Sequence, residues 1–325
     1  MIKDASDFYK VLLQKFPYQL TPKQQELYHL LVDFIFSQDT QSLFLLKGYA
    51  GTGKTSAISV LVASLWMTGK KAVLLAPTGR AAKVISGYSK RQALTIHKKI
   101  YFPKKQKNGS IDFVLQPNKH TNTLFIVDEA SMIPDQAKNS TFFEHRSLLD
   151  DLISYVYSGN QCKLIFIGDT AQLPPVKLKI SPALDSDRLA LDYHKNVKEI
   201  ELDEVTRQHD GSGILANANL LRILIEHDAN HMQFDLKYPD VIRLIDGYDI
   251  EDAIVSSYDH QGVEDTTFIV RSNKRANLYN QQIRSKVRGQ ENEIAVGDYV
   301  MVLKNNYFWL KDTSKAGFIA NGDTC

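Results

Sequence analysis

A chain of 325 residues that is 43% hydrophobic and 23% charged has room for two domains and the composition of an ordinary globular protein, which excludes disordered and fibrous classes. No apolar run is long enough to span a bilayer, and the opening MIKDASDFYK carries acids where a secretion signal needs a basic then apolar stretch, so a cytoplasmic protein without membrane contact is expected. Two cysteines, Cys162 and Cys325, exclude a disulfide framework or a cysteine-built zinc site. The net charge of +2 conceals a polarity, because residues 40–111 contain no Asp or Glu yet carry thirteen of the 39 Lys and Arg. A surface so free of acids suits a polyanion, each phosphate contact adding a salt-dependent increment of affinity.

Residues 20–24, LTPKQ, read as a helix start, with Thr21 as cap and Pro22 at the first helical position. The apolar run SLFLLKG then leads into Gly48-Tyr49-Ala50-Gly51-Thr52-Gly53-Lys54-Thr55, and TSAISVLVASLW follows. This is a complete GxxxxGKT loop between a strand and a helix, and the pattern points to a nucleoside triphosphate. Glycines let backbone N–H groups curl around phosphate oxygens at a helix N-terminus, where unpaired donors and the helix dipole favour anions. Candidate nucleotide contacts are Gly48, Ala50, Gly51, Thr52, Gly53, Lys54, Thr55 and Ser56. Lys54 would reach the β- and γ-phosphates, and Thr55 would hold Mg²⁺.

Short apolar runs alternate with helical patterns from there on: KAVLLAPT then RAAKVISGY, TLFIVDEAS then a helix around Leu148–Tyr157, then KLIFIGDT and KEIELDEVTR. Such alternation predicts βαβ units and a parallel sheet with helices on both faces. Between residues 98 and 121 the pattern breaks, and Asn108-Gly109 between two β-compatible runs predicts an inserted hairpin. Asp128 and Glu129 close the strand TLFIV; Asp128 is a candidate Mg²⁺ ligand through water, Glu129 a candidate for orienting or deprotonating the attacking water. The same pair after a strand also suits a helix start. FIGDTAQLPPV sets Asp169 and Gln172 at another strand end, and LDEVTRQ brings Arg207, a candidate γ-phosphate contact or a surface ion-pair partner of Asp203 or Glu204. After about His227 a second α/β pattern begins: VIRLID, a helix near Ile254, TTFIVRS, NKRANLYNQQIRSKV and the β-rich VGDYVMVLKNNYFWL.

The ordered set GYAGTGKT, APTGRAAKVI, TIH, DEAS, GDTAQLPPV, LDEVTRQ and TFIVRSNKRANLYNQQIR resembles superfamily 1 DNA helicases of the RecD-like and phage Dda-like branch, over nearly the whole chain. The resemblance implies an α/β, RecA-like P-loop NTPase fold over residues 1–227, with the 98–121 hairpin as a duplex-splitting pin. It further implies a partial second RecA-like domain over 228–325 and the start of an SH3-like insertion near 295–325. ATP and Mg²⁺ are the implied cofactors. The implied partners are single-stranded DNA and duplex junctions, with recombination or repair subunits, and the implied activity is 5′ to 3′ translocation. Matched onto this sequence, Gln24 would read adenine, Gln172 would couple the γ-phosphate to DNA grip, and Lys54, Asp128, Glu129, Gln172 and Arg207 would form the catalytic set. Pro77, Thr78, Arg80, Lys83, Thr95 and His97 would grip DNA in the first domain, as would Arg271, Ser272 and Asn273 in the second. His97 and Phe102 are equally compatible with base stacking and with structural packing.

Members of the family continue past a GxxNGD-like stretch, here GFIANGD, into motifs that include a second γ-phosphate arginine. A fragment of a longer helicase is therefore expected, one that binds ATP and Mg²⁺ but hydrolyses slowly and unwinds little. Two other classes fit parts of the pattern: an ATPase subunit of a RecD-like nuclease complex, and a passive DNA-binding module with a vestigial nucleotide site.

Overall fold

The computed structural model describes residues 1–105, 111–134, 147–204, 211–227, 229, 231–303, 306, 309, 319 and 323. Two compact units are present, residues 1–208 with 301–325, and residues 209–300. In the first, helices α1 (Ala5–Lys15) and α2 (Pro22–Phe36) precede strand β1 (Ser42–Gly48) and helix α3 (Lys54–Ser64). Then come β2 (Lys71–Ala76), α4 (Gly79–Ser89), β3 (Ala93–Thr95), α5 (Ile96–Ile100), β4 (Tyr101–Lys105), β5 (Ile111–Leu115) and β6 (Thr123–Val127). Helix α6 (Leu148–Tyr157), strand β7 (Lys163–Gly168), helix α7 (Ser186–Tyr193) and strand β8 (Asn196–Leu202) complete it.

Six strands form one sheet in the order β3-β2-β6-β7-β1-β8, and every ladder in it is parallel. Strands β6 and β7 are buried at every position, as helices on both faces demand. Alternation along β1 divides the core. Phe44 and Leu46 pack with α1, α2, α3 and α4 on one face, whereas Leu43 and Leu45 pack with α5, α6 and α7 on the other. The fold is thus the α/β parallel sheet with helices on both faces that the strand–helix alternation predicts, and it agrees with the RecA-like P-loop architecture that the resemblance implies. Strands β4 and β5 form a separate antiparallel pair, Tyr101 opposite Leu115 and Phe102 opposite Val114; its Asn108-Gly109 tip lies outside the described residues.

In the second unit lie α8 (Gly213–Glu226), α9 (Gly247–His260), α10 (Gly262–Asp265) and α11 (Asn273–Gln282). Rings of Tyr258, Phe268 and Tyr279 stack at 6.3 and 6.0 Å, and Arg284 grips Asp298 through two bonds of 2.9 and 2.7 Å. The runs VIRLID and TTFIV, expected as strands, belong to no strand among the described residues, and Ile242, Ile245 and Ile269 are exposed. A buried strand exists only as a ladder partner with both faces covered, and neither condition is met here. The expected SH3-like insertion falls largely outside the described residues, which show from it one antiparallel bridge, Asn306 with Ile319.

One buried cation fixes helix α2 against the sheet. Lys163, at the start of β7, donates to the carbonyls of Phe34 and Ser37 at 2.6 Å each and lies over the Phe34 ring at 5.0 Å. Burial pushes its ammonium down to about 8, and in either protonation state it retains N–H groups for both acceptors. Each buried carbonyl deprived of its donor costs about 1–3 kcal/mol. Lys163→Met should therefore lower the urea midpoint with an unchanged denaturant slope; an unaltered midpoint would show that α2 does not depend on this contact.

Candidate nucleotide-binding site

Among the described residues, Thr95, Pro77, Asp128, Asp169 and the phosphate loop lie along one edge of the sheet, where the parallel strands end. In spatial order the edge carries Thr95 (β3), Pro77 just past β2, Asp128 just past β6, Asp169 just past β7, and the loop from Gly48 that follows β1. Open parallel sheets bind ligands at this edge.

The loop is shaped by close approaches. A Cβ on Gly48 would meet the Leu202 carbonyl oxygen at 2.7 Å, and Gly53, left-handed at φ +89°, would drive one to 2.5 Å from Gln24 Nε2. Gly53 begins α3 and supplies no side-chain cap of its own, at the helix end that favours anions. Lys54 Nζ donates to the carbonyls of Gly48 and Tyr49, the latter at 2.8 Å. Thr52 is buried, its hydroxyl donating to Tyr49 O at 2.8 Å. Ala50 and Thr55 are exposed, while Gly51 and Ser56 are half-buried.

Gln24 is 2% exposed. Its Oε1 accepts from Thr21 N at 3.1 Å, closing the capping box, and its Nε2 donates to Thr52 O at 3.0 Å. Gln24 thus both closes the α2 cap and supports the phosphate loop directly.

Around the acids the contacts are dense. Asp128 N donates to Leu75 O at 3.0 Å, tying the end of β6 to β2. Asp128 Oδ1 accepts from Glu129 N at 2.9 Å, and Oδ2 accepts from the Tyr88 hydroxyl at 2.6 Å. Glu129 occupies the left-handed region at φ +55°, a conformation costing a non-glycine residue of order 1–3 kcal/mol and concentrated at functional sites. Burial, then the adjacent Asp128 carboxylate, raise Glu129 above its ordinary value, while a hydrogen bond from Gln172 and the Lys54 ammonium pull it back. Gln172 also accepts from Ser131 Oγ at 3.1 Å. Asp169 is 6% exposed, and its Oδ1 accepts from Ala171 N at 2.9 Å. The structure therefore brings Lys54, Asp128, Glu129, Asp169 and Gln172 into one electrostatic neighbourhood. Arg207 lies outside the described residues.

Burial and the two neighbouring carboxylates push the Tyr88 phenol far above its usual value, so it remains a neutral donor. Sequence patterning does not reveal this residue or Ser131. A tyrosine closing an amphipathic helix reads as packing, and a serine after Asp-Glu-Ala reads as a turn.

The residues expected to grip DNA are distributed differently. Pro77 and Thr78 are half-buried; Thr78 caps α4 by accepting from Ala81 N at 3.3 Å. Arg80 and Lys83 are exposed on α4, and Lys83 pairs with Asp323 at 2.5 Å. Thr95 has no exposed surface and caps α5, accepting from Lys98 N at 3.2 Å. Its hydroxyl is buried at the edge and serves that cap. His97 is half-buried, 5.8 Å from the Tyr101 ring. Phe102 is 40% exposed beside its cross-strand neighbour Val114 at 37%. In the second unit Arg271, Ser272 and Asn273 are exposed, and Ser272 caps α11 by accepting from Arg275 N at 3.3 Å. No described helix is long and apolar enough to cross a membrane.

The chain is similar in sequence to known proteins. The AAA domain family model matches residues 19–232. The ATP-dependent DNA helicase dda of Enterobacteria phage T4 is 24% identical over 303 residues, covering 87% of this chain and 61% of that protein. The ATP-dependent RecD2 DNA helicase of Deinococcus radiodurans is 35% identical over 138 residues, 41% of this chain and 16% of that protein. The solved structure of Bacteroides sp Pif1 in complex with ADP-AlF4 aligns with 93% of this chain and 63% of its own, at 18% identity and a TM-score of 0.45. The chain thus spans about three fifths of the length of the phage protein. With the family model covering residues 19–232, the chain belongs to the AAA domain family, and it is similar in sequence to the two ATP-dependent DNA helicases named above.

Proposed function

We propose that this chain is the nucleotide-driven part of an ATP-dependent DNA helicase, moving 5′ to 3′ on single-stranded DNA and opening duplexes at single-strand junctions. The observation that carries the proposal is the convergence of Lys54, Asp128, Glu129 and Gln172 at the ends of adjacent parallel strands, on a chain whose neighbouring acid-free segment spans residues 40–111.

The chemistry of the donor set fits Mg²⁺. Thr55 offers an exposed hydroxyl in the first turn of α3 and Asp128 a half-buried carboxylate, the hard oxygen donors that ion takes together with water and phosphate. Bound there, Mg²⁺ would neutralise charge on the phosphates. The phosphate loop and Gln24 would hold the nucleotide, with Lys54 exchanging its two carbonyl partners for phosphate oxygens. Glu129 would take the proton of the attacking water, its raised pKa making it a better base near neutrality. Gln172, bonded to both Glu129 and Ser131, would fix that carboxylate. Arg207 is proposed to meet the γ-phosphate.

DNA would lie across the β2–β3 end of the edge, with Pro77, Thr78 and Arg80 toward phosphates and His97 and Phe102 toward bases. Lys83 would trade Asp323 for a phosphate. Such binding is sequence-tolerant and salt-sensitive.

Steady-state ATP hydrolysis with and without oligothymidylate tests this proposal. Stimulation by the single strand is expected, and hydrolysis indifferent to DNA would contradict it. Lys54→Ala should abolish nucleotide binding; retained binding of a fluorescent ATP analogue would remove Lys54 from the site. Glu129→Gln should bind the analogue normally and lower kcat by about 10²–10⁴-fold. Because the base works deprotonated and its pKa is raised, wild-type kcat should fall on acidification at a pH above the ordinary glutamate range. A limb that persists in Glu129→Gln would assign it to another group.

A further inference from the structure

Helix α4 has two chemically distinct ends. It starts at the Thr78 cap beside the β2 exit, and Arg80 and Lys83 of its first turns face outward, whereas Ala82, Ile85 and Ser89 are buried against the core. Its eleven residues extend about 16 Å. At its far end stands Tyr88, the last residue but one, which makes two bonds. Its carbonyl accepts from Ser59 Oγ of α3 at 3.5 Å, and its hydroxyl donates to Asp128 Oδ2 at 2.6 Å. One residue therefore touches both the helix that follows the phosphate loop and the candidate metal-binding acid.

The bond to Asp128 is directional where simple packing is not. A phenylalanine would fill the same half-buried space, so the hydroxyl is spent on the carboxylate alone. With Glu129 N on Oδ1 and Tyr88 on Oδ2, the plane of the carboxylate is fixed at both oxygens. A carboxylate offers about four lone-pair sites, so each oxygen keeps one for a metal-bound water. Donors behind a metal-ligating carboxylate typically account for about 10–100-fold in metal affinity.

Resting on the helicase proposal above, we infer that Tyr88 is a positioning residue which orients Asp128 for Mg²⁺ and, through the rigid body of α4, makes the metal affinity of the nucleotide site respond to single-stranded DNA held at Thr78 and Arg80. No part of this is required for ATP binding itself. It supplies a route by which strand engagement reaches the metal without passing through the second unit.

The test is Mg²⁺ titration of the binding of a fluorescent non-hydrolysable ATP analogue, with and without oligothymidylate. It is run on wild type, Tyr88→Phe, Asp128→Asn and the double variant. In wild type, DNA should lower the Mg²⁺ concentration needed for half-saturation. Tyr88→Phe should raise that concentration about 10-fold or more and remove its response to DNA, and it should add nothing to Asp128→Asn. A Tyr88→Phe protein with wild-type Mg²⁺ dependence and DNA response overturns the inference, as does an effect that persists in the Asp128→Asn background or a loss confined to thermal stability. A wild-type protein that binds no oligothymidylate defeats the helicase proposal instead. One that binds it without any change in Mg²⁺ dependence defeats the coupling through Tyr88 and leaves that proposal standing.

Discussion

Burial of parallel strands on both faces is the constraint on which the first unit depends. Strands β6 and β7 carry no exposed position, so polar chemistry cannot sit within them and is confined to the residues that follow their ends. The ladder order then decides which residues meet. Because β7 lies between β6 and β1, Asp128, Asp169 and the phosphate loop arrive side by side from segments far apart in the sequence. Because β2 adjoins β6 on the other side, Pro77 just past the end of β2 stands on the strand next to that of Asp128.

Within that neighbourhood the electrostatics are balanced rather than uniformly favourable. Glu129 is raised by burial and by Asp128, and restrained by Gln172 and Lys54. It also holds a left-handed backbone that a glutamate adopts only when its surroundings over-determine it. The bonds around it supply that determination: Glu129 N to Asp128, and Ser131 to Gln172. Gln24 performs a comparable service for the loop, its amide shared between the α2 cap and Thr52 O. Lys163 in turn fixes the opposite end of α2. The loop is thereby connected through one helix to the far end of the sheet.

Much of this was legible in the sequence because it depends on local rules. The GxxxxGKT spacing, the apolar runs ending in Asp128 and Asp169, the Thr21 cap, and the helix over Leu148–Tyr157 follow from periodicity and capping chemistry. What was not legible depends on distance in space. Tyr88 reaches Asp128 across forty positions, and nothing in RAAKVISGY distinguishes a hydroxyl aimed at a carboxylate from one facing water. Thr95 is assigned to DNA through the resemblance alone, and its burial and its cap of α5 depend on how β3 meets that helix. The runs 241–246 and 266–270 have strand composition but no ladder partner among the described residues, and composition alone does not supply one.

Nucleotide and strand are proposed to share one sheet edge, and thermodynamic linkage tests that proposal most directly. The affinity of the chain for oligothymidylate is measured with and without a saturating magnesium-bound ATP analogue, and the affinity for the analogue with and without the oligonucleotide, at one salt concentration. Coupled sites change each other's affinity by the same factor, of about 5-fold or more in typical cases. Equal factors of that size are predicted; a factor of one in both directions would show two sites that share an edge without communicating, and would contradict the account.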